Sequence, residues 1–269
     1  MGQPPARDPW THLIGLTSAR IALGRAGPAL PTREVLALSL AHAQARDAVH
    51  TAFDGEAVAR GLEALGHATL QVASAAPDRA TYLRRPDLGR KLSSDSRETL
   101  ARAKARGTDL VLVVADGLSS AAVHTHAVPL VAALAPYLDR AGWRLGPMVI
   151  ATQARVALGD EIGELMGAAM VALLVGERPG LSSPDSLGVY LTHGPRVGRT
   201  DAERNCISNI RAEGLSYDEA AFKLAWHIAE ARRLGLTGVG LKDESDLISL
   251  TAESRDQLPS GSTERPACG

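Results

Sequence analysis

Two residues have side chains suited to holding a ligand, and each follows an aliphatic run. Val156 lies in the loop after one run, where it either presses against a flat apolar ligand or packs in the core. Glu177 directly follows another run, and an ionised carboxylate there can accept two N–H bonds from a ligand amide. The alternative for Glu177 is a loop hydrogen bond or a salt bridge with Arg178. These residue types indicate ligand binding, with the structural alternatives left open.

A third candidate, Cys206, lies in the segment AERNCISNIR, close to Arg204. A buried free cysteine usually behaves as a small hydrophobic side chain. A reactive thiol is the alternative, because a neighbouring guanidinium favours the thiolate. The sequence leaves both interpretations open and shows no pairing of this cysteine with a histidine.

Common catalytic and nucleotide-binding signatures are absent from the sequence. It contains no phosphate-binding loop, no complete G-x-G-x-x-G after a strand, no H-E-x-x-H, no C-x-x-C pair and no G-x-S-x-G. His124 and His126 flank Thr125, but two histidines without further ligands are more often surface or cap residues than a metal site. We therefore expect neither a catalytic residue nor a metal ligand on this chain.

The composition is that of a soluble globular protein and excludes several classes of partner. The chain has 269 residues, with 29 Lys and Arg against 30 Asp and Glu. A net charge of -1 gives no broad basic field for nucleic acid. Two cysteines, one beside the C-terminus, make a disulfide framework improbable. No signal peptide or apolar run long enough to span a membrane is recognisable, so we expect no membrane association.

Three aliphatic runs predict the sheet that positions the candidate residues. They are DLVLVVAD at 109–116, PMVIAT at 147–152 and MVALLVG at 170–176, and helical segments separate them. This alternation predicts an α/β domain with a Rossmann-like, doubly wound parallel sheet. Loops leaving parallel strands lie along one edge, so we expect the loops beginning at Asp116, Gln153 and Glu177 to meet there.

Around this domain, the pattern predicts a smaller N-terminal region and a C-terminal tail. Ala- and Leu-rich segments predict helices over 31–50 and 55–65, a strand follows near Leu70 and Val72, and 216–235 predicts a long helix ending at Gly235. The predicted organisation is a mixed, largely helical region over 1–105, the Rossmann-like domain over 106–243 and a disordered acidic tail over 244–269.

Five segments, in this order, resemble the small (light) subunit of ethanolamine ammonia-lyase. The resemblance covers about residues 8–243. The segments are LGRAGPALPTREVLALSLAHAQARDAVH at 23–50, RPDLGRKL at 85–92, DLVLVVADGLSS at 109–120, QARVALGDEIGELMGA at 153–168 and GERPGLSSPDSLGVYLTHGPRVGRTDAERNCISNIRAEGLSYDEAA at 176–221. A match of this length is far more specific than a short motif.

The resemblance implies an adenosylcobalamin-dependent lyase that converts ethanolamine to acetaldehyde and ammonia by radical chemistry. It also implies a separate large subunit, a TIM barrel with the substrate pocket, and a hetero-oligomer of large–small pairs with cobalamin between the two chains. Carried over position by position, the family's cobalamin contacts correspond to Val156, Glu177 and Cys206. The choice of these three residues rests more on the resemblance than on their spacing in the sequence. The implied location is the cytoplasm or a bacterial microcompartment.

Two other classes of function remain as alternatives. One is a stand-alone flavodoxin-like protein that binds a nucleotide or another ligand, and the other is a hydrolase that uses Cys206. The missing phosphate-loop and nucleophile-elbow patterns count against both. Lyase activity that requires a second subunit and adenosylcobalamin would distinguish the leading interpretation from them.

Overall fold

The computed structural model describes residues 8–17, 19–103 and 107–247. Helices within these ranges are α1 (Thr32–His50), α2 (Gly55–Ala64), α3 (Arg79–Arg84), α4 (Ser94–Arg102), α5 (Ser120–Arg140), α6 (Leu158–Met166) and α7 (Tyr217–Leu234). Strands within them are β1 (Thr69–Ala73), β2 (Leu110–Ala115), β3 (Met148–Thr152), β4 (Met170–Gly176), β5 (Leu187–His193) and β6 (Asn205–Ile210). The bounds of β2, β3, β4, α1 and α7 agree with the sequence-based ranges to within a residue at each end.

The strands form one six-stranded sheet in the order β1-β3-β2-β4-β5-β6. Strands β2, β3 and β4 are parallel, as predicted, and β1 joins them in parallel, whereas β5 pairs antiparallel with both β4 and β6. The chain returns from β4 to β5 through a loop without a helix, and such a connection makes neighbouring strands antiparallel. The sheet is therefore mixed, and the prediction of a parallel, doubly wound Rossmann-like sheet is confirmed only as an α/β fold.

Helices cover both faces of the sheet. On one face α2, α5 and α7 pack around Leu62, Val123 and Leu224. On the other face α4 and α6 pack around Leu100 and Ile162. Every residue of β2 and β4 is buried, which explains why these strands are continuous aliphatic runs in the sequence.

The sheet crosses the predicted boundary at residue 105. Strand β1 lies in the predicted N-terminal region, yet it pairs with β3 from Thr69–Met148 to Ala73–Thr152. The division into 1–105 and 106–243 therefore does not coincide with an edge of the sheet. Of the predicted tail, residues 248–269 lie outside the described residues, while Ser245–Leu247 form a 3-10 turn that Lys223 contacts through Ser245 and Asp246.

Helix α5 is the one helix in the described ranges that is long and apolar enough to cross a membrane by length and composition. Its apolar character has a simpler cause in the fold. It packs against the sheet and against α2 and α7, and Val123, Leu130 and Leu134 are fully buried there. A core helix of this kind passes the same test of length and hydropathy, so we treat α5 as part of the core.

Candidate functional site

A cavity of about 420 Å³ lies at the carboxyl edge of the parallel strands. Its wall includes Gly117 after β2, Val156 after β3 and Glu177 after β4. The three predicted loops therefore share one edge of the sheet, as the parallel arrangement of β2, β3 and β4 requires. Val156 and Glu177, both half-buried, face the same hollow, while their role as cofactor contacts remains a prediction.

Two glycines allow the loops after β2 and β4 to approach one another closely. A Cβ atom on Gly176 would overlap the backbone oxygens of Ser119 and Asp116, and one on Gly117 would overlap the oxygen of Gly176. Gly117 also has a φ of 56°, which favours glycine. The N–H of Leu118 donates to the oxygen of Gly176 at 2.9 Å. This edge of the cavity is thus made of backbone in direct contact.

Asp116 joins the loops that follow β2 and β3. Its carboxylate is buried and accepts hydrogen bonds from the N–H of Ala154 at 3.0 Å and from Nη1 of Arg79 at 3.3 Å. The same Arg79 nitrogen donates to the oxygen of Gly117 at 2.8 Å. Burial raises the pKa of the Asp116 carboxyl, against the opposing influence of the Ala154 N–H and of Arg79. The sequence signal was an acidic residue at the end of a wholly aliphatic strand.

Tyr82, on α3, is a site residue that the sequence did not reveal. It is fully buried, and its ring lies 4.4 Å from the guanidinium carbon of Arg155 and 4.9 Å from that of Arg79. Its hydroxyl donates to the oxygen of Ala154 at 3.0 Å. Burial raises the pKa of Tyr82 to about 12, so the hydroxyl keeps its proton at neutral pH.

Three buried polar atoms around this cluster have no hydrogen-bond partner among the described residues. They are Nη2 of Arg79, Nε of Arg155 and Oε1 of Gln153. Gln153 also has a φ of 55°, unusual for a residue other than glycine. An unpaired buried polar atom costs free energy. Of these three residues, Arg155 lines the cavity, whereas Arg79 and Gln153 lie behind the lining.

Glu177 makes a loop hydrogen bond rather than the alternative salt bridge. Its Oε2 accepts the N–H of Asn209 at 3.2 Å, which links the cavity wall to β6. Within the described chain, Oε1 accepts no hydrogen bond, and Glu177 forms no ion pair with Arg178. One carboxylate oxygen thus remains able to accept an N–H bond from a ligand.

Cys206 lies beside the cavity wall and not on it. It is opposite Tyr190 in the β5–β6 ladder, and Tyr190 lines the cavity. Cys206 is exposed and not the buried cysteine considered from the sequence. Partial desolvation of the sulfur raises the pKa of the thiol, as does the carboxylate of Glu177, while a hydrogen bond with Tyr190 lowers it. The guanidinium of Arg204 binds Asp160 at 2.6 Å. The hypothesis of a thiolate stabilised by Arg204 is therefore wrong, because the cation is engaged elsewhere and the pKa is raised.

A second, larger cavity adjoins the first. It has a volume of about 710 Å³ and shares Arg155, Val156 and Tyr190 with its neighbour. Cationic side chains from three segments line it, among them Arg90, Arg155 and Arg199, together with the carboxylates of Asp87 and Asp201. No sequence pattern indicates this cavity, because residues 87–91 and 197–204 meet only in the folded chain.

His124 and His126 contact other side chains and backbone of the fold. The ring of His124 stacks on Phe53 with centroids 5.5 Å apart, and its Nε2 accepts the N–H of Asp54 at 2.9 Å. Nδ1 of His126 lies 2.8 Å from the hydroxyl of Tyr217. In the part of the chain that the structure describes, no three His, Cys, Asp or Glu side chains are grouped to hold a metal ion.

The fold and the cavities define an α/β protein with a ligand site at the carboxyl edge of a mixed sheet. The profile of the ethanolamine ammonia-lyase light-chain family matches residues 7–242. Ethanolamine ammonia-lyase small subunits from Pseudomonas fluorescens strain Pf0-1 and Ralstonia nicotianae are 53% and 55% identical to this chain, over 97% and 94% of each sequence. That of Xanthomonas campestris pv. campestris is 54% identical over 94% of each. This chain belongs to the family of ethanolamine ammonia-lyase small subunits, which confirms the resemblance.

Proposed function

We propose that this chain is the small subunit of an ethanolamine ammonia-lyase, a carbon–nitrogen lyase that releases acetaldehyde and ammonia from ethanolamine. Family membership over residues 7–242 is the observation that carries the proposal. A small subunit requires a large one, and we propose that the large subunit holds the substrate pocket in a TIM barrel and pairs with this chain in a hetero-oligomer. Location in the cytoplasm or in a bacterial microcompartment remains a prediction.

We further propose that the 420 Å³ cavity holds part of adenosylcobalamin. A corrin has flat apolar faces and a rim of amide groups, which need both hydrogen-bond donors and acceptors. Val156 offers an apolar contact, and Oε1 of Glu177 is an acceptor without a partner among the described residues. The corresponding donor is Arg155, which lines the cavity and whose Nε has no partner among the described residues. The residues present therefore fit an amide-rimmed, flat ligand.

In this proposal, the chain binds, orients and shields the cofactor. Adenosylcobalamin supplies the radical chemistry when it is bound, and the protein supplies the surroundings. Glu177 and the backbone of the 180–188 loop hold the rim and the nucleotide tail, and Cys206 supports the wall through Tyr190. A cavity of about 420 Å³ covers only part of so large a cofactor. The large subunit therefore has to enclose the remainder.

Reconstitution tests the proposed activity. The purified chain, the large subunit and adenosylcobalamin are assayed for acetaldehyde formation from ethanolamine, together and with each component omitted. We expect activity only when all three are present. Full turnover by this chain alone, or no turnover by the complete mixture, would contradict the proposed function.

Substitution of Glu177 tests its role in cofactor binding. Removal of a desolvated acceptor in Glu177→Ala should weaken cobalamin affinity by ~1.5–3 kcal/mol, which corresponds to a Kd about 10- to 150-fold higher. Equilibrium dialysis of the large–small complex against cobalamin measures the Kd without an activity assay. The matched control is Glu98→Ala, since Glu98 is an exposed residue on α4 paired with Arg102. An unchanged Kd for Glu177→Ala would remove Glu177 from the site.

A further inference from the structure

Large apolar side chains are exposed in two successive segments near the N-terminus. Seven of the 12 exposed large hydrophobic residues in the described chain precede residue 41. They are Trp10, Ile14, Leu16, Leu30, Val35, Leu36 and Leu40, and we call the set the N-terminal surface. Soluble monomers rarely leave many large apolar side chains in water within one region, so this surface requires a partner.

Helix α1 is weakly attached to the remainder of the fold. Of its 19 residues only Ala41, at its middle, and Ala48 are buried, and the helix packs against α5. Its first half buries no residue, although Leu36 and Leu40 lie one turn apart on the same face with 63% and 59% of their surface exposed. Most of the stability of a helix in a protein comes from packing of an apolar face, and the first half of α1 has no such packing within this chain. Its apolar face is therefore free for another chain.

The segment that includes α1 is fastened to the rim of the cofactor cavity at both ends. At one end, Nη2 of Arg20 donates to the oxygen of Leu181, in the loop after Glu177, at 3.3 Å. At the other, Nε of Arg79 donates to the oxygen of Val49 at 2.8 Å, while Nη1 binds Asp116 and Gly117. A partner that closes the cavity therefore reaches this segment as well.

We propose that the N-terminal surface is a docking surface for the large subunit, with Leu36 and Leu40 inserted into an apolar groove of that subunit. This inference rests on the proposed function, in which the large subunit covers the same cavity. The continuity between rim and surface therefore favours the large subunit as the occupant.

The test measures binding between full-length chains. The double variant Leu36→Gln/Leu40→Gln keeps good helix formers at exposed positions, so it should fold like the wild type, which circular dichroism checks. The matched control is Leu65→Gln/Leu234→Gln, which removes two leucines that are each 41% exposed elsewhere on the molecule. A fluorescence titration of labelled small subunit with large subunit gives the Kd.

We expect the Kd of Leu36→Gln/Leu40→Gln to rise at least about tenfold, because central apolar anchors dominate interfaces, while the control binds like the wild type. Equal affinity of this variant and the wild type would overturn the inference and leave the proposed function intact. If Leu36→Gln/Leu40→Gln lost self-association in a sedimentation experiment but bound the large subunit like the wild type, the surface would belong to a contact between copies of this chain. That result would also overturn the inference. No binding by the wild type would overturn the inference and the proposed function together.

Discussion

Ala154 has both of its backbone polar groups held by side chains from other parts of the chain. Asp116 accepts its N–H, and the hydroxyl of Tyr82 donates to its oxygen. The preceding residue, Gln153, has a φ of 55°, a conformation that costs ~1–3 kcal/mol outside glycine. Such strain persists only where surrounding contacts determine the conformation. These two side chains therefore set the path of the loop that places Val156 in the cavity.

Replacement of Tyr82 by Phe removes only the hydroxyl and so tests whether that group holds the loop at Ala154. The ring stays between Arg79 and Arg155, but the oxygen of Ala154 loses its buried donor, so the free energy of unfolding should fall by ~1–3 kcal/mol. Urea unfolding of the wild type and the variant measures the difference. Tyr137→Phe is the control, because the Tyr137 hydroxyl makes no hydrogen bond to a described residue, and it should change stability little. Equal stability of Tyr82→Phe and the wild type would contradict the assignment.

At the scale of elements, the interior strands were predictable from the sequence and the edge strands were not. Strands β2 and β4 are buried throughout, so apolar residues occupy every position and each strand is recognisable in the sequence as a continuous aliphatic run. Strand β6 is mostly exposed, with only Ile207 and Ile210 buried, and its sequence NCISNI has no such run. Its position depends on pairing with β5, a tertiary contact without a local signal.

The same reasoning separates the predictable part of the site from the rest. Val156 and Glu177 follow parallel strands, whose geometry places their loops together whatever the loop sequences are. Tyr82 reaches the cavity from α3, a six-residue helix whose approach is set by packing against distant residues, and Arg79 of the same helix binds Asp116 behind the cavity wall. Sequence periodicity therefore predicted the edge of the sheet, and it could not predict the cluster that holds Ala154.

The contact between the ends of β2 and β4 predicts an effect of Gly176→Ala. The added methyl group would overlap backbone oxygens of Ser119 and Asp116, and backbone in direct contact cannot move aside as a side chain can. We expect the free energy of unfolding to fall by about 3 kcal/mol or more, as measured by chemical denaturation, and cobalamin affinity of the complex to fall with it.

Gly159→Ala is the matched control for this prediction. Gly159 lies in α6, where a Cβ would meet Leu173 at an ordinary 3.5 Å. Because alanine favours the helix over glycine by ~1 kcal/mol, this variant should be as stable as the wild type or more so. If both glycine variants were equally stable, the close approach would not be what shapes this edge of the cavity.

The whole molecule combines a net charge near zero with an exposed apolar surface. The formal charge is -1 and the isoelectric point is about 6.7, so electrostatic repulsion between copies is weakest near neutral pH. Near neutral pH, electrostatic repulsion therefore does least to prevent copies of the chain from associating through the N-terminal surface. A chain whose apolar surface is covered by a large subunit would not be subject to this attraction.

The isolated chain should therefore be least soluble near pH 6.7 and more soluble at pH 8.5 to 9, where its net charge is more negative. Light scattering across this range measures the effect, and added salt should weaken the recovery at high pH because it screens the repulsion. Leu36→Gln/Leu40→Gln should flatten the pH profile, since charge matters only while an apolar contact is available. Leu65→Gln/Leu234→Gln should leave the profile as it is in the wild type. A minimum of equal depth in both double variants would mean that self-association depends on charge alone and not on the N-terminal surface.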